Sequence, residues 1–373
     1  MTGDSVTLAG SETETREASG CPARSERARE MAKAKLPADH PKVKTGRIGV
    51  LLVNLGTPDG TDFRNMRKYL REFLTDKRVI EWPKALWYPI LFGIVLNTRP
   101  KKSGAAYDEI WNKELDESPL RTITRSQATL LAEDLAGLDE RIVVDWAMRY
   151  GNPSIASRLE ALREQGCERI LVFPLYPQYA ASTTATVNDV VFREMTKLRW
   201  QPAIRTVPPY HDDPVYIDAL ATSIETHLAG LDFDPEVVLT SYHGIPQSYF
   251  RKGDPYHCHC QKTTRLLRDR LGWSEDRLRV TFQSRFGPEE WLQPYTDKTV
   301  EALAKEGVKR VAVLNPGFVA DCLETLEEIA GEAGEIFHEN GGDKFTHIPC
   351  LNDSAPGMDV LSAIVRRELA GWV

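Results

Sequence analysis

The stretch that decides the fold is Val237-Val238-Leu239-Thr240-Ser241-Tyr242-His243-Gly244-Ile245-Pro246. Its apolar and β-branched residues lead directly into a turn marked by Gly244 and Pro246, which is typical of a buried strand ending at the carboxyl edge of a sheet. His243 stands where the strand becomes a loop. Ligands of open α/β sheets bind beyond the carboxyl ends of strands, but a lone histidine there is more often structural. Whether His243 has a structural or a functional role depends on what the rest of the chain places near it.

Strand and helix patterns alternate on both sides of this stretch. A near-continuous apolar run at 47–54 predicts a parallel strand buried on both faces. Further strands are predicted at 142–148, 169–174, 203–207, 278–282, 311–314 and 345–349, and helices at 61–74, 118–135, 155–165, 215–228 and 356–369. This alternation predicts an α/β fold with parallel, doubly wound sheets.

The second half of the chain repeats the plan of the first. Arg149-Tyr150-Gly151 follows one predicted strand, Arg285-Phe286-Gly287 follows another, and segment 167–174 is echoed by 308–316. The repeat predicts two similar Rossmann-like units facing each other across a cleft, which is the default ligand site. We expect an N-terminal domain at 47–209 and a C-terminal domain at 210–373, the latter carrying His243.

Length and composition narrow the functional classes. The 373 residues suit two domains, and the net charge of −7 argues against a nucleic-acid partner. Residues 1–46 hold few large apolar side chains, so we expect a disordered or weakly helical leader there. No secretory signal pattern is present at the N-terminus, and the six cysteines are mostly scattered. We therefore expect a cytoplasmic protein.

An apolar stretch rich in Trp and Pro occupies residues 82–96. It is too short to cross a bilayer and is interrupted by Pro83 and Pro89. It is either a pair of core helices broken by prolines or an exposed apolar lip that contacts a membrane or admits an apolar ligand. The basic run Arg99-Pro100-Lys101-Lys102 follows it. Together the two would suit a flat apolar ligand with an anionic edge.

Two further groups of residues could carry chemistry. Asp321, Glu324 and Glu328 are spaced three and four apart, which predicts one helix face near the sheet edge of His243. Such a face is either solvated or able to collect a divalent cation and accept protons. The run His257-Cys258-His259-Cys260 could bind a metal, but no second cysteine pair at zinc spacing follows it. The fingerprints of dinucleotide, P-loop and serine-hydrolase sites are absent from the sequence.

Six motifs stand out along the chain. They are Leu52-Val53-Asn54-Leu55-Gly56-Thr57-Pro58, Met148-Arg149-Tyr150-Gly151, Tyr176-Pro177-Gln178-Tyr179, Ser241-Tyr242-His243-Gly244-Ile245-Pro246, Gly253-Asp254-Pro255-Tyr256, and Gly317-Phe318-Val319-Ala320-Asp321 with Glu324. In this order they resemble the ferrochelatase family, which inserts Fe²⁺ into a porphyrin. The likeness spans about residues 47 to 370, nearly everything after the leader. The family's fold, two Rossmann-like units around a porphyrin cleft, agrees with the internal repeat.

The resemblance implies roles for particular residues. His243 matches the essential histidine, as proton acceptor, metal ligand or both, and Glu324 matches its acidic partner on the opposite side. Asp321 extends the acidic path, whereas Cys322 departs from the histidine of some relatives. The resemblance places the following residues around the porphyrin or its approaches, the last two on the outer metal route: Leu55, Ser118, Arg149, Tyr150, Phe318, Tyr179 and Arg99. The stretch 82–96 falls where the family has membrane-contacting lips.

The implied reaction joins protoporphyrin IX and Fe²⁺, with the iron as substrate and no cofactor required. Some relatives hold a [2Fe–2S] cluster on cysteines near the C-terminus, where this chain has only Cys350, and Ala181 replaces a further cysteine ligand of animal forms. We therefore predict no cluster. The alternatives are a chelatase for coproporphyrin or another divalent metal, and a non-catalytic tetrapyrrole carrier. The sequence does not distinguish a monomer from a homodimer.

Overall fold

Eight parallel strands build two four-stranded sheets in residues 39–40 and 43–373, the part of the chain that the computed structural model describes. The predicted leader at 1–46 lies almost entirely outside these residues. The strands of the first sheet are β1 (Arg47–Thr57), β2 (Ile142–Gly151), β3 (Cys167–Pro174) and β4 (Ala203–Thr206). Those of the second are β5 (Val237–His243), β6 (Leu278–Gln283), β7 (Arg310–Leu314) and β8 (Lys344–Ile348).

The two sheets have the same topology. Their strand orders are β2-β1-β3-β4 and β6-β5-β7-β8, so the first strand of each half lies between the second and the third. All pairings are parallel, with Asn54 opposite Met148 in one sheet and His243 opposite Gln283 in the other. This equivalence confirms the fold class that the internal repeat predicts, two similar doubly wound α/β units.

Helices connect the strands and cover the sheets. In the first half they are α1 (Phe63–Leu74), α2 (Lys84–Ile90), π1 (Leu91–Val95), α3 (Leu96–Ile110), α4 (Pro119–Leu135), α5 (Ile155–Glu164), π2 (Ala181–Ala185) and α6 (Thr186–Met195). In the second half they are α7 (Pro214–Ala229), α8 (Gln247–Arg251), α9 (Tyr256–Leu271), α10 (Thr296–Lys305), α11 (Leu323–Thr325), π3 (Leu326–Ala333), α12 (Gly334–Glu339) and α13 (Ala355–Glu368). Ser118 and Ser354 cap α4 and α13, each followed by a proline in the first turn.

One apolar core joins the two sheets. Val50 and Leu52 of β1 belong to the same buried cluster as Val238 of β5, and α4, α7 and α13 complete it. Residues Lys44–Val373 accordingly form one compact unit. The domain boundary at 209/210 remains a prediction.

The carboxyl ends of β1 and β2 lie against the segment that follows β7. Leu55 and Met148 pack against Ala320 and Cys322 in a small apolar cluster. The loop after β3 also reaches across, because the Gln178 side chain donates to the carbonyl of Pro316 at 3.2 Å. The strand ends that carry most of the predicted site residues therefore come together.

The stretch 82–96 combines both predicted interpretations. Trp87, Leu91 and Leu96 are buried in a cluster with α1, whereas Leu86 and Ile94 on the other side are 63% and 60% exposed. Prolines do not break it, since Pro83 is the N-cap of α2 and Pro89 lies inside that helix. No helix within the described residues is long and apolar enough to cross a membrane. The exposed side of 82–96, with Trp82, Ile90 and Phe92, is called the lip below.

Gly56 lies where β1 comes so close to its parallel partner β2 that only glycine fits. Its φ is +114°, and a Cβ there would lie 1.9 Å from the carbonyl oxygen of Tyr150. Gly93 in π1 has nothing within 4 Å of a built Cβ. The same substitution at these two glycines therefore separates backbone crowding from the general effect of adding a methyl group.

We predict that Gly56→Ala destabilises the protein by roughly 3 kcal/mol or more, through a strained backbone and an overpacked strand pair. Gly93→Ala, the matched control, should change stability by about 1 kcal/mol at most, because alanine favours a helix. The measurement is urea unfolding followed by circular dichroism. Equal unfolding midpoints for both variants would contradict the close approach of β1 and β2 at Gly56.

Candidate active site

His243 ends β5 and is half-buried. Its Nδ1 lies 2.7 Å from the carbonyl oxygen of Gly244. A carbonyl can only accept, so Nδ1 must carry the proton, and in the neutral ring Nε2 is then the basic position. The local backbone thereby selects a tautomer in which Nε2 is able to take a proton or a metal ion.

The acidic segment is not the α-helix that its spacing predicts. It consists of the short α11, then π3 and α12, and a π-helix brings residues four and five apart together. Asp321 precedes the helix, whose first turn begins after Cys322. The prediction that Asp321 shares a helix face with Glu324 and Glu328 is therefore wrong, because neither the helix start nor the α-helical period applies.

Glu328 lies near enough to His243 for their charges to interact. Its carboxylate accepts the backbone N–H of Ser284 at 2.7 Å, the Ser284 hydroxyl, and the Gln283 amide at 3.2 Å. Burial raises the pKa of Glu328, the charge of Glu324 adds to this, and the Ser284 hydroxyl and His243 oppose it. Ser284 has φ +63°, which a non-glycine residue rarely adopts, in order to present both donors.

Gln283 links His243's sheet to the acidic helix. Its amide group donates to the backbone oxygen of Glu324 at 2.6 Å. Its oxygen accepts from Ser241 and from Asn315, each at 2.7 Å. Because Gln283 is also the β6 neighbour of His243, one buried side chain sets the position of Glu324 relative to the histidine.

Asp321 is buried, and its carboxylate accepts three hydrogen bonds from within the chain. It accepts from the Thr325 hydroxyl at 2.9 Å, from the Asn352 amide at 2.6 Å and from the backbone N–H of Cys350 at 3.3 Å. These contacts tie the start of the acidic helix to the segment after β8. They give Asp321 a structural task, and its part in catalysis remains a prediction.

Arg149 and Tyr150 both bind Asp76. The guanidinium of Arg149 forms a buried ion pair with the Asp76 carboxylate, and the Tyr150 hydroxyl donates to the same oxygen at 2.9 Å. Arg149 also donates to the Thr186 hydroxyl at 2.7 Å. Arg149 therefore has internal partners in place of a free position for a substrate carboxylate.

The remaining predicted pocket residues are spread around the two sheet edges. Leu55 and Phe318 flank the apolar cluster at the strand ends, and Ser118 is buried as the cap of α4. Tyr179 lies half-buried in the loop after β3. Arg99 is on α3, with its guanidinium 4.9 Å from the ring centre of Phe286 in the opposite half. The contact between Arg99 and Phe286 thus joins side chains of the two halves.

A cavity of about 280 Å³ adjoins Glu328, on a side that neither His243 nor Glu324 lines. Its wall includes Glu332 and the exposed Arg285–Asp297 ion pair. Glu327 lies one residue before Glu328, and burial, with Glu332 and Glu328 nearby, raises its pKa to about 7. The acidic helix therefore holds, in Glu327, a carboxyl group able to exchange protons near neutral pH.

The run His257-Cys258-His259-Cys260 does not gather around one point. It opens α9, so successive side chains point in different directions: Cys260 is fully buried and Cys258 is exposed. Among the described residues, no three His, Cys, Asp or Glu side chains are grouped so as to hold a metal ion.

The sequence matches the ferrochelatase family model over residues 47–369. The chain belongs to the ferrochelatase family. It is 74% identical over 335 residues to a ferrochelatase of Rhizobium meliloti (strain 1021), covering 90% of this chain and 98% of the relative. It is 73% identical over 338 residues to a ferrochelatase of Allorhizobium ampelinum, covering 91% and 98%. The family assignment makes the chain an enzyme that forms metal–nitrogen bonds.

A solved structure supports the fold alone. SirB from Bacillus subtilis with Fe³⁺ superposes with a TM-score of 0.52 at 12% identity, over 88% of this chain and 97% of SirB. At such low identity the likeness concerns architecture, and the two-unit arrangement of this ferrochelatase agrees with it.

The sequence reasoning missed Gln283, Ser284 and Asp76. Gln283 and Ser284 follow the strand predicted at 278–282, at the same kind of strand end as His243. Their position after a strand could therefore have identified them. Asp76 lies 73 residues from Arg149. No local pattern connects them, so only the folded chain reveals that pair.

We predict that Asp76→Ala costs about 3–5 kcal/mol in stability, because it leaves the Arg149 charge buried without its partner. Asp189→Ala is the matched control: its ion pair with Arg78 is 35–37% exposed and should contribute about 1 kcal/mol or less. Urea unfolding measures both. A loss of iron-insertion rate in Asp76→Ala with unchanged stability would instead indicate direct contact of this cluster with substrate.

Proposed function

We propose that this ferrochelatase inserts Fe²⁺ into protoporphyrin IX, releases two protons and gives heme b, the last step of heme formation. Family membership supports the reaction. The observation that carries the site assignment is the bond from Nδ1–H of His243 to the Gly244 carbonyl, which makes Nε2 the basic nitrogen. Iron is the substrate, and no resident cofactor is part of the proposal.

His243 and Glu324 would divide the chemistry between them. Metallation must remove two pyrrole N–H protons and deliver a dication to the ring centre. Nε2 of His243, which carries no proton in the neutral ring, can accept a proton or bind the metal, and Glu324 supplies negative charge from the acidic helix. A cleft that bends the macrocycle would expose the nitrogen lone pairs, so that binding energy is used for distortion.

Glu328 extends this scheme. Its carboxylate is close enough to His243 and Glu324 to respond to the charge of both, and it borders the cavity of about 280 Å³. Its raised pKa and that of Glu327 favour proton uptake. We propose that protons leave the macrocycle through these carboxyl groups, with Asp321 holding the start of the helix in place.

The apolar residues Leu55 and Phe318 would form walls for the porphyrin plane, near Tyr179 and Ser118. For the propionates, Arg99 is a better candidate than Arg149: it is exposed on α3 beside the lip, whereas Arg149 is paired with Asp76. Tyr150 and Arg149 would then shape the pocket through Asp76.

The lip would place the enzyme at a membrane surface on the cytoplasmic side. Leu86 and Ile94 are its most exposed side chains, and the cations of Arg99, Lys101 and Lys102 follow close behind it. Apolar side chains beside cations are the combination that anionic lipid surfaces bind. Such a location would suit a poorly soluble porphyrin. The enzyme is proposed as a monomer or a homodimer.

We predict that His243→Ala lowers the iron-insertion kcat by about 10²-fold or more while circular dichroism stays unchanged. The exposed His338→Ala should retain wild-type kinetics. The measurement is loss of porphyrin fluorescence on adding Fe²⁺, with Zn²⁺ and Co²⁺ compared, and with protoporphyrin and coproporphyrin compared. Normal kinetics in a folded His243→Ala protein would refute the role of His243, and a preference for coproporphyrin would refute the proposed substrate.

We predict that Leu86→Glu combined with Ile94→Glu weakens binding to anionic phosphatidylglycerol vesicles roughly tenfold or more, since each leucine-sized side chain contributes about 1.5–3 kcal/mol when buried. Leu138→Glu changes a similarly apolar exposed residue outside the lip and should bind like the wild type. Co-sedimentation measures the bound fraction. If all three proteins bind equally, or none binds, the lip is not a membrane contact.

A further inference from the structure

The loop after β3 is held in place by the C-terminal half of the chain. The backbone carbonyl of Pro177 accepts from the N–H of Tyr210 at 3.0 Å, and the Gln178 amide donates to the Thr263 hydroxyl at 3.1 Å. The Tyr179 N–H donates to Nδ1 of His259 at 3.2 Å. Two residues along, the N–H of Ala181 donates to the carboxylate of Asp254 at 2.7 Å. Three of these four links, at Gln178, Tyr179 and Ala181, reach residues of the second half of the chain.

His259 can only make its link as a neutral ring. Because Nδ1 accepts, the ring proton must be on Nε2. Burial lowers the pKa of His259, against the opposing charges of Asp212 and Asp254, and Lys262 lowers it further. The histidine is therefore in its accepting form at neutral pH.

The orientation of His259 is fixed by a second histidine. The rings of His259 and His211 stack with centroids 3.7 Å apart and planes 7° from parallel. His211 is only 8% exposed, and burial followed by the charge of His259 lowers its pKa to about 4. Two neutral rings can stack this closely, whereas two charged rings would repel each other.

We propose that His259 is a positioning residue for porphyrin binding, whose ring, aligned by His211, fixes the backbone at Tyr179 and so places the Tyr179 side chain at the pocket. Of the run His257-Cys258-His259-Cys260, His259 is then the member with a function, and the function is not metal binding. The inference rests on the proposed location of Tyr179 beside the porphyrin, and a Tyr179 variant tests that location separately.

Two substitutions at one position isolate the hydrogen bond. His259→Leu removes the acceptor and keeps an apolar side chain of moderate size. His259→Asn retains an acceptor, since its side-chain oxygen lies close to the position of Nδ1. Hydrogen exchange at the Tyr179 amide, followed by mass spectrometry of a peptide covering 175–184, reports the link itself, and the porphyrin KM and kcat report its consequence.

His259→Leu is expected to speed exchange in this peptide and to raise the porphyrin KM roughly three- to tenfold, the range for loss of one neutral hydrogen bond, with kcat within about twofold. His259→Asn should restore most of both. Unchanged exchange in His259→Leu, or equal defects in the two variants, would overturn the inference.

Tyr179→Ala tests the location of Tyr179 beside the porphyrin separately from the positioning role of His259. If it raises the porphyrin KM while His259→Leu speeds exchange without changing KM, the loop contacts porphyrin but His259 does not position it, and the inference fails alone. If neither variant changes KM, the proposed location of Tyr179 fails, and the inference fails with it. The role proposed for His243 in iron insertion does not depend on either outcome.

Discussion

The structure depends on a single apolar core that binds two parallel sheets together. In a parallel sheet all carboxyl ends lie at one edge, so a repeated α/β unit has two such edges, each with its own loops. Val50 and Leu52 of the first sheet share one buried cluster with Val238 of the second, and α4, α7 and α13 fill the space around them. Because that packing leaves little freedom between the sheets, loops from both edges contact one another and form a common site.

Buried hydrogen bonds then set the chemistry of that site. Gln283 uses both ends of its amide, one toward Ser241 and Asn315 and the other toward the acidic helix. The helix is of π type where Glu327 and Glu328 occur, and burial there raises the pKa of both carboxyl groups. A histidine of selected tautomer and carboxyl groups ready to take protons are what a porphyrin metallation requires. In this chain the Gly244 carbonyl selects the tautomer, and burial raises the pKa of the carboxyl groups.

The sequence predicted the layers of the fold well, because each layer has a local signature. The apolar run at 47–54 and the helix start at Ser118 are each encoded in consecutive residues, and the echo of Arg149-Tyr150-Gly151 by Arg285-Phe286-Gly287 indicated the second unit. The site was predicted less completely. The α-helical spacing predicted one face for Asp321, Glu324 and Glu328, but the helix begins only after Cys322 and becomes a π-helix from Leu326. The pairs Arg149–Asp76 and Tyr179–His259 join residues 73 and 80 apart, which only tertiary packing brings together.

His243 and the acidic helix are proposed to act on one bound porphyrin from opposite sides. A crystal structure of the chain with metal-free protoporphyrin IX bound tests it most directly. We expect the macrocycle between the two halves, with Nε2 of His243 facing the pyrrole nitrogens on one side and the Glu324 carboxylate on the other. Nδ1 of His243 should keep its hydrogen bond to the Gly244 carbonyl. A porphyrin bound elsewhere, or one that places His243 and Glu324 on the same side of its plane, would contradict the account.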